Sequence, residues 1–120
     1  MFKIPVWDLL SSYSWDSKSF SFSGEVYDGY LEDIRFTKVL EFSIEIIAVD
    51  GGVSVHFHDL DTEVEYDWAR HEVHIAEIDR EYRSHLDPLL DPDDIRPIES
   101  TMIDLGPVLR EEIIMATHTL

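Results

Sequence analysis

At 120 residues, with 44% hydrophobic and 12% aromatic content, the chain is long enough for one domain that buries about 65% of the surface its unfolded form exposes. Its 26 acidic against 9 basic side chains, a formal net charge of −17, exclude a broad nucleic-acid grip, because that affinity comes from Lys and Arg displacing counterions from phosphate. The absence of cysteine excludes disulfides, thiolate zinc sites and a cysteine nucleophile together, and fits a reducing compartment.

Charge is uneven along the chain. Residues 1–40 hold 6 acids and 4 bases, net −2, and residues 41–120 hold 20 and 5, net −15. A basic protein partner steered in by this field is the natural expectation. The opening Met-Phe-Lys-Ile-Pro-Val-Trp-Asp lacks the apolar core of a signal peptide, and no apolar run approaches the roughly 20 residues of a membrane span. A cytoplasmic protein with no membrane association is expected.

In chain order, Pro5 followed by Val6, Trp7, Leu9 and Leu10 predicts a short N-terminal helix with the proline in its first turn. Residues 19–28 alternate Phe20, Phe22 and Val26 against serines and Glu25, a half-buried strand with an irregularity at Gly24. Residues 34–40 are expected to run on into the next strand. There Leu40, Phe42, Ile44 and Ile46 alternate with Glu41, Ser43 and Glu45 up to the turn signal Asp50-Gly51-Gly52, a hairpin.

Side-chain alternation then fixes register by parity. A two-residue Gly51-Gly52 loop pairs Asp50 with Val53 and Ile46 with Phe57, whereas a three-residue loop sets apolar against polar residues. A turn at Leu60-Asp61 pairs Phe57 with Val64, and a turn over residues 69–72 pairs Trp68 with Val73. Together these predict an antiparallel meander. One face carries Ile44, Ile46, Val53, Val55, Phe57, Val64, Tyr66, Trp68, Val73 and Ile75; the other carries Glu41, Glu45, His56, His58, Glu63, Glu65, Asp67 and His74. Residues 84–102, interrupted by prolines, predict an acidic loop. Leu105, Val108, Leu109, Ile113 and Ala116 at helical spacing, with Asp104 as cap, predict a closing helix over the apolar face. The fold class is therefore α+β: an antiparallel meander of about five to six strands, free to curl, under a C-terminal helix, with a short N-terminal helix, in one domain spanning 1–120.

Candidate chemistry is sparse. His56 and His58, two apart on a strand, can converge on one ion with Glu45 and His74 nearby. Set against that metal-dependent hydrolase is a solvated face on which histidines soften a run of carboxylates, and no metal or cofactor is expected. There is no Gly-x-Ser-x-Gly elbow, since Ser23-Gly24 lies in a strand, and no phosphate loop, since Gly51-Gly52 is a turn. No catalytic residue is assigned. Trp7, Tyr13, Trp15, Tyr27 and Tyr30 cluster with Lys3 and Lys18 where charge is nearly balanced. Any RNA contact is confined to that end.

The closing run Ile103-Asp104-Leu105-Gly106-Pro107-Val108-Leu109-Arg110-Glu111-Glu112, together with the opening Phe2 to Leu10 and the hairpin from Leu40 to Leu60, resembles the YceD family, the large ribosomal RNA subunit accumulation proteins of bacteria and plastids. The family's Cys-x-x-Cys aligns with Tyr66-Asp67-Trp68-Ala69 and is absent, so the chain looks like a divergent member in which packing of Trp68 on the hairpin replaces the cysteines. The resemblance implies a non-enzymatic ribosome biogenesis factor that supports accumulation of large-subunit RNA by binding a basic ribosomal protein or a large-subunit precursor. Partner contacts are then expected at Asp104, Arg110, Glu111, Glu112, Trp68, Lys3 and Trp7. The competing reading is an acidic protein-binding module, or nucleic-acid mimic, unrelated to ribosomes.

Overall fold

A computed structural model describes residues 2–10, 16–27, 29–85 and 95–118. Tyr13, Trp15, Asp28 and residues 86–94 of the predicted acidic loop lie outside the described residues. The chain runs β1 (Lys3–Pro5), α1 (Trp7–Leu10), β2 (Ser17–Gly24), β3 (Arg35–Phe36), β4 (Leu40–Val49), β5 (Gly52–Tyr66), β6 (Ala69–Arg83), β7 (Arg96–Pro97), β8 (Met102–Asp104) and α2 (Gly106–His118). It is the predicted α+β class. The six-stranded sheet has the order β2-β4-β5-β6-β7, with β3 beside β5, and β1 with β8 forms a separate two-stranded ladder.

The meander has fewer and longer strands than the parity reading gives. The first turn is Asp50-Gly51, not Gly51-Gly52, so Val49 faces Gly52, Ile46 faces Val55 and Ile44 faces Phe57. The loop keeps an even length, as side-chain alternation requires, and its position shifts by one residue on each arm. The cause is close backbone approach. A Cβ on Gly52 would lie 1.9 Å from the Tyr82 carbonyl oxygen, whereas Gly51 has φ +84° and open space around it. Gly51 is the turn glycine and Gly52 the packing glycine.

No turn forms at Leu60-Asp61, so Phe57 pairs with Ile78 and not with Val64. β5 continues through an irregularity in which Asp59 takes φ 54° and the β4–β5 register shifts between Glu41 and Ser43. The bulge inverts the alternation: Val53, Val55 and Phe57 are buried before it, and Leu60, Thr62 and Val64 after it. β6 inverts in step, with Val73 buried on one side and Ile78 and Tyr82 on the other. The last hairpin also moves. Asp67-Trp68 forms the turn, Tyr66 pairs with Ala69, and Val73 faces Thr62 where Trp68 was expected.

The termini close the inner side. Pro5 ends β1 and does not enter a helix; Ile4 faces Ile103 across the ladder, Val6 N–H donates to the Thr101 carbonyl at 2.8 Å, and Leu105 N–H donates to Phe2 at 2.8 Å. Phe2 then meets Phe22 edge-on at 4.8 Å, and Phe42 continues the aromatic contacts to Phe57 at 5.4 Å. Helix α2 starts where the Asp104 carboxylate accepts from Gly106 N–H at 3.0 Å, and it buries Val108, Leu109 and Ile113 in the single core. Thr117 takes the inward place expected for Ala116, which is half-buried. The segment read as loop also contributes structure, because Arg96 and Pro97 pair in parallel with Tyr82 and Arg83. β7 is the outermost strand, and the neighbouring Ile98 N–H donates to the Arg83 carbonyl at 2.9 Å, so a proline at this edge removes no donor from that bond.

Candidate interaction surface

The closing run is fastened to the body of the protein. Arg110 grips Asp33 through two bonds, Nε to Oδ1 at 3.0 Å and Nη2 to Oδ2 at 2.6 Å, a bidentate fork that holds the Asp33 carboxyl below the ordinary carboxylate range. Glu111 pairs with Arg96 and Glu112 with Arg80. Arg80 sits on the inner face opposite Val55, so its pair with Glu112 lies between sheet and helix, with both side chains less than a fifth exposed. The polar edge expected to be available to a partner is thus spent on intramolecular ion pairs. Sequence reasoning misses Arg80, Arg96 and Asp33 as the matching partners. The available signal for Arg80 is its place in the alternation Ile78, Arg80, Tyr82, which demands an inward-facing cation and hence an anion on the covering helix.

Two other predicted residues, Lys3 and Trp7, occupy the N-terminal clasp. Both are exposed. Lys3 lines a cavity of about 410 Å³ with Tyr82, Arg96, Met102 and Pro107. The Tyr82 hydroxyl donates to the Asp104 carbonyl at 3.0 Å, and burial raises its ionisation well above the ordinary phenol. Burial likewise raises the Tyr30 phenol, against the lowering by its bond from Phe2 N–H. Lys18 binds the Pro5 carbonyl at 2.6 Å and Asp8 at 3.2 Å. Burial tends to raise the Asp8 carboxyl, but the Lys18 bond and charge outweigh it and the carboxyl is lowered.

The outer face of the sheet carries His56, His58 and His74, each with a carboxylate across the ladder. His56 Nδ1 lies 2.6 Å from Asp79 Oδ1, and its Nε2 lies 3.0 Å from the Ser54 hydroxyl. A neutral ring donating to Asp79 accepts from Ser54, so the pair fixes the tautomer. His58 faces Glu77 at 4.0 Å and His74 faces Asp61 at 3.4 Å. His56 and His58 share a face, but His74 pairs beyond the bulge. Among the described residues no three His, Asp or Glu side chains are grouped to hold a metal. Glu45 stands beside His56, Glu63 beside Glu72, and Glu65 beside Arg70, giving rows of carboxylates interrupted by imidazoles.

Trp68 departs furthest from expectation. It does not pack on the hairpin; it stands at the tip, 97% exposed. Asp67 has φ 52° and Trp68 φ 67°, so both central residues take the left-handed conformation that a primed two-residue hairpin requires. Trp68 borders a shallow cleft of about 350 Å³ that is also lined by Glu32, Asp33, Arg35, Glu65 and Asp67. Arg35 approaches Glu65 at 3.8 Å and Arg110 holds Asp33. Among the described residues no hydrogen bond or ion pair engages Glu32 or Asp67.

No protein-family model, no curated protein and no solved structure matches the chain. The resemblance to the YceD family therefore rests on the residues of the closing run and its companions alone. No helix among the described residues is long and apolar enough to cross a membrane.

Proposed function

We propose that this chain is a non-catalytic binding protein for a basic polypeptide, engaged at the Asp67-Trp68 hairpin tip and along the carboxylate-rich outer face of the sheet. The observation that carries the reading is Trp68. A tryptophan exposed over nearly its whole surface, beside a cleft lined largely by carboxylates, offers an aromatic face for a lysine or arginine stem and an anionic surround for its charge. The net charge of −17 adds long-range steering toward such a partner. The narrower form, a factor that supports large-subunit ribosomal RNA accumulation by escorting a basic ribosomal protein, adds to this only the resemblance of Ile103–Glu112 to the YceD family.

The test is a titration of isolated basic ribosomal proteins against the chain, read by Trp fluorescence at low and high salt. Binding that weakens at least tenfold over a fourfold rise in salt, and that is lost in Trp68→Ala, supports the reading. Binding unchanged by Trp68→Ala refutes the site. Co-sedimentation with large-subunit precursors tests the narrower form, and capture of a nucleic-acid-handling enzyme in its place would shift the conclusion to a mimic.

A further inference from the structure

Strand β2 is an open edge. Its eight residues, Ser17–Gly24, pair with β4 in an unbroken register from Ser17 opposite Ile47 to Gly24 opposite Leu40. Among the described residues no backbone bond is made on its other side. Natural edge strands are protected by proline, a bulge, an inward-pointing charge or extreme shortness. β2 has no proline and no register shift. Its one charge, Lys18, stands on the inner face opposite Ile46, where the Pro5 carbonyl and the Asp8 carboxylate already neutralise it. At the other end of the sheet β7 covers only Tyr82 and Arg83 of β6, and the rest of that edge carries Glu72, Glu77, Asp79 and Glu81, so two copies pairing there would set like charges side by side.

Charge selects the occupant. The outer face on β5 and β6 is rich in carboxylates, so two copies meeting there would repel. β2 holds four serines, two phenylalanines, a glycine and one neutralised lysine, and it is the one long strand on which like molecules meet without that penalty. Phe20 remains 41% exposed at this edge, with Phe22 beside it, half-buried.

We infer that β2 pairs antiparallel with β2 of a second copy about a two-fold axis normal to the sheet, joining the two six-stranded sheets into one. Parity fixes the register. Residues placed opposite each other must share a face, so the two residue numbers in each pair sum to an even number. Setting Ser21 opposite Ser21 brings Phe20 against Phe22 of the other copy, Ser19 against Ser23, and Lys18 against Gly24, which leaves room for the lysine. The interface is isologous, as closed dimers require, and the backbone ladder supplies its hydrogen bonds. A single strand pair is smaller than a standard interface, so a dissociation constant on the order of 10⁻⁵ M is expected.

Sedimentation velocity on the full chain over a concentration series measures the association, and the chain's lack of native cysteine makes crosslinking clean. Directly opposed residues lie within disulfide reach. Ser21→Cys is therefore expected to form a covalent dimer under mild oxidation at least tenfold faster than Glu72→Cys, which lies on the same outer face beyond the bulge, and faster than Ser19→Cys or Ser23→Cys. Phe20→Lys, at a position already exposed, is expected to raise the dissociation constant at least tenfold while leaving the circular dichroism unchanged. A chain that stays monomeric up to ~10⁻⁴ M, ten times the constant estimated for one strand pair, overturns the inference. So does a set of three serine variants that crosslink no faster than Glu72→Cys.

Discussion

Replacing Glu112 by Gln tests the ion pair between sheet and helix. Arg80 reaches α2 from the inner face of β6, and the pair is 18% and 17% exposed, so both charges are largely out of water. The guanidinium has few alternatives: Nη1 donates to the Asp79 carbonyl at 2.9 Å, and Nε is buried with no partner. Removing one member of a fully buried pair costs about 3–5 kcal/mol, because the other charge is left unpaired. Residual solvent access lowers that here to about 2–3 kcal/mol. For a domain of this size 1 kcal/mol is about 4 °C, so Glu112→Gln should lower Tm by about 8–12 °C. The double variant Arg80→Met with Glu112→Met removes both desolvation costs and the orphaned Nε, and should recover to within about 1 kcal/mol of the parent. Thermal and urea unfolding of the two single variants and the double variant give the coupling directly. If Glu112→Gln costs less than about 0.5 kcal/mol, the pair behaves as an ordinary surface ion pair and the reasoning fails.

Gly52→Ala should destabilise by at least about 1–3 kcal/mol, measured by urea unfolding, since its Cβ would sit 1.9 Å from the Tyr82 carbonyl oxygen and the backbone must move; Gly51→Ala acts instead through its positive φ and should cost about 1 kcal/mol. The bond from Arg110 lowers the Asp33 carboxyl, so its stabilisation is present above the unfolded carboxylate value of about 3.9 and is lost as pH falls through the lower folded value. Asp33→Asn should therefore cost at most about 1 kcal/mol near neutrality, and its unfolding curve should converge on the parent's at the acid end. Trp68→Gly should raise Tm by about 4 °C, since it relieves the cost of a side chain at φ 67°, while it abolishes binding of a basic partner; a fall in Tm would show that the exposed ring supports the fold.

The class of fold is legible because it depends on period. Alternation in β4 and β5 and helical spacing in α2 each leave a face that must be covered, and the parity rule limits the first hairpin to two or four loop residues, of which the fold takes two. Turn positions escape the same reasoning where special backbone conformations intervene. Asp59 takes φ 54° within a strand and inverts the faces of β5, so residues beyond it read as a new strand and suggest a turn that does not exist. Gly52 looks like a turn residue and is a packing residue, because its close neighbour, Tyr82, lies some thirty positions away and enters no local pattern. The closing run shows the opposite case. Arg110, Glu111 and Glu112, expected there as partner contacts, clamp α2 onto Asp33, Arg96 and Arg80, partners that no spacing rule connects to them.

Those clamps redirect attention from the closing helix to the hairpin tip. Of the predicted partner-binding side chains, Arg110, Glu111 and Glu112 are held by partners inside the fold, and Asp104 caps a helix. Trp68 lacks such a structural use: it is exposed, and its backbone conformation is one that glycine would adopt at lower cost. A hairpin selected for stability alone would carry Asn-Gly or Asp-Gly at these two positions. Keeping tryptophan there costs about 1 kcal/mol and places a large apolar surface in water. Burial against a partner would offset the exposure of the ring, and under the reading proposed above the carboxylates lining the cleft beside it would favour a partner of positive charge.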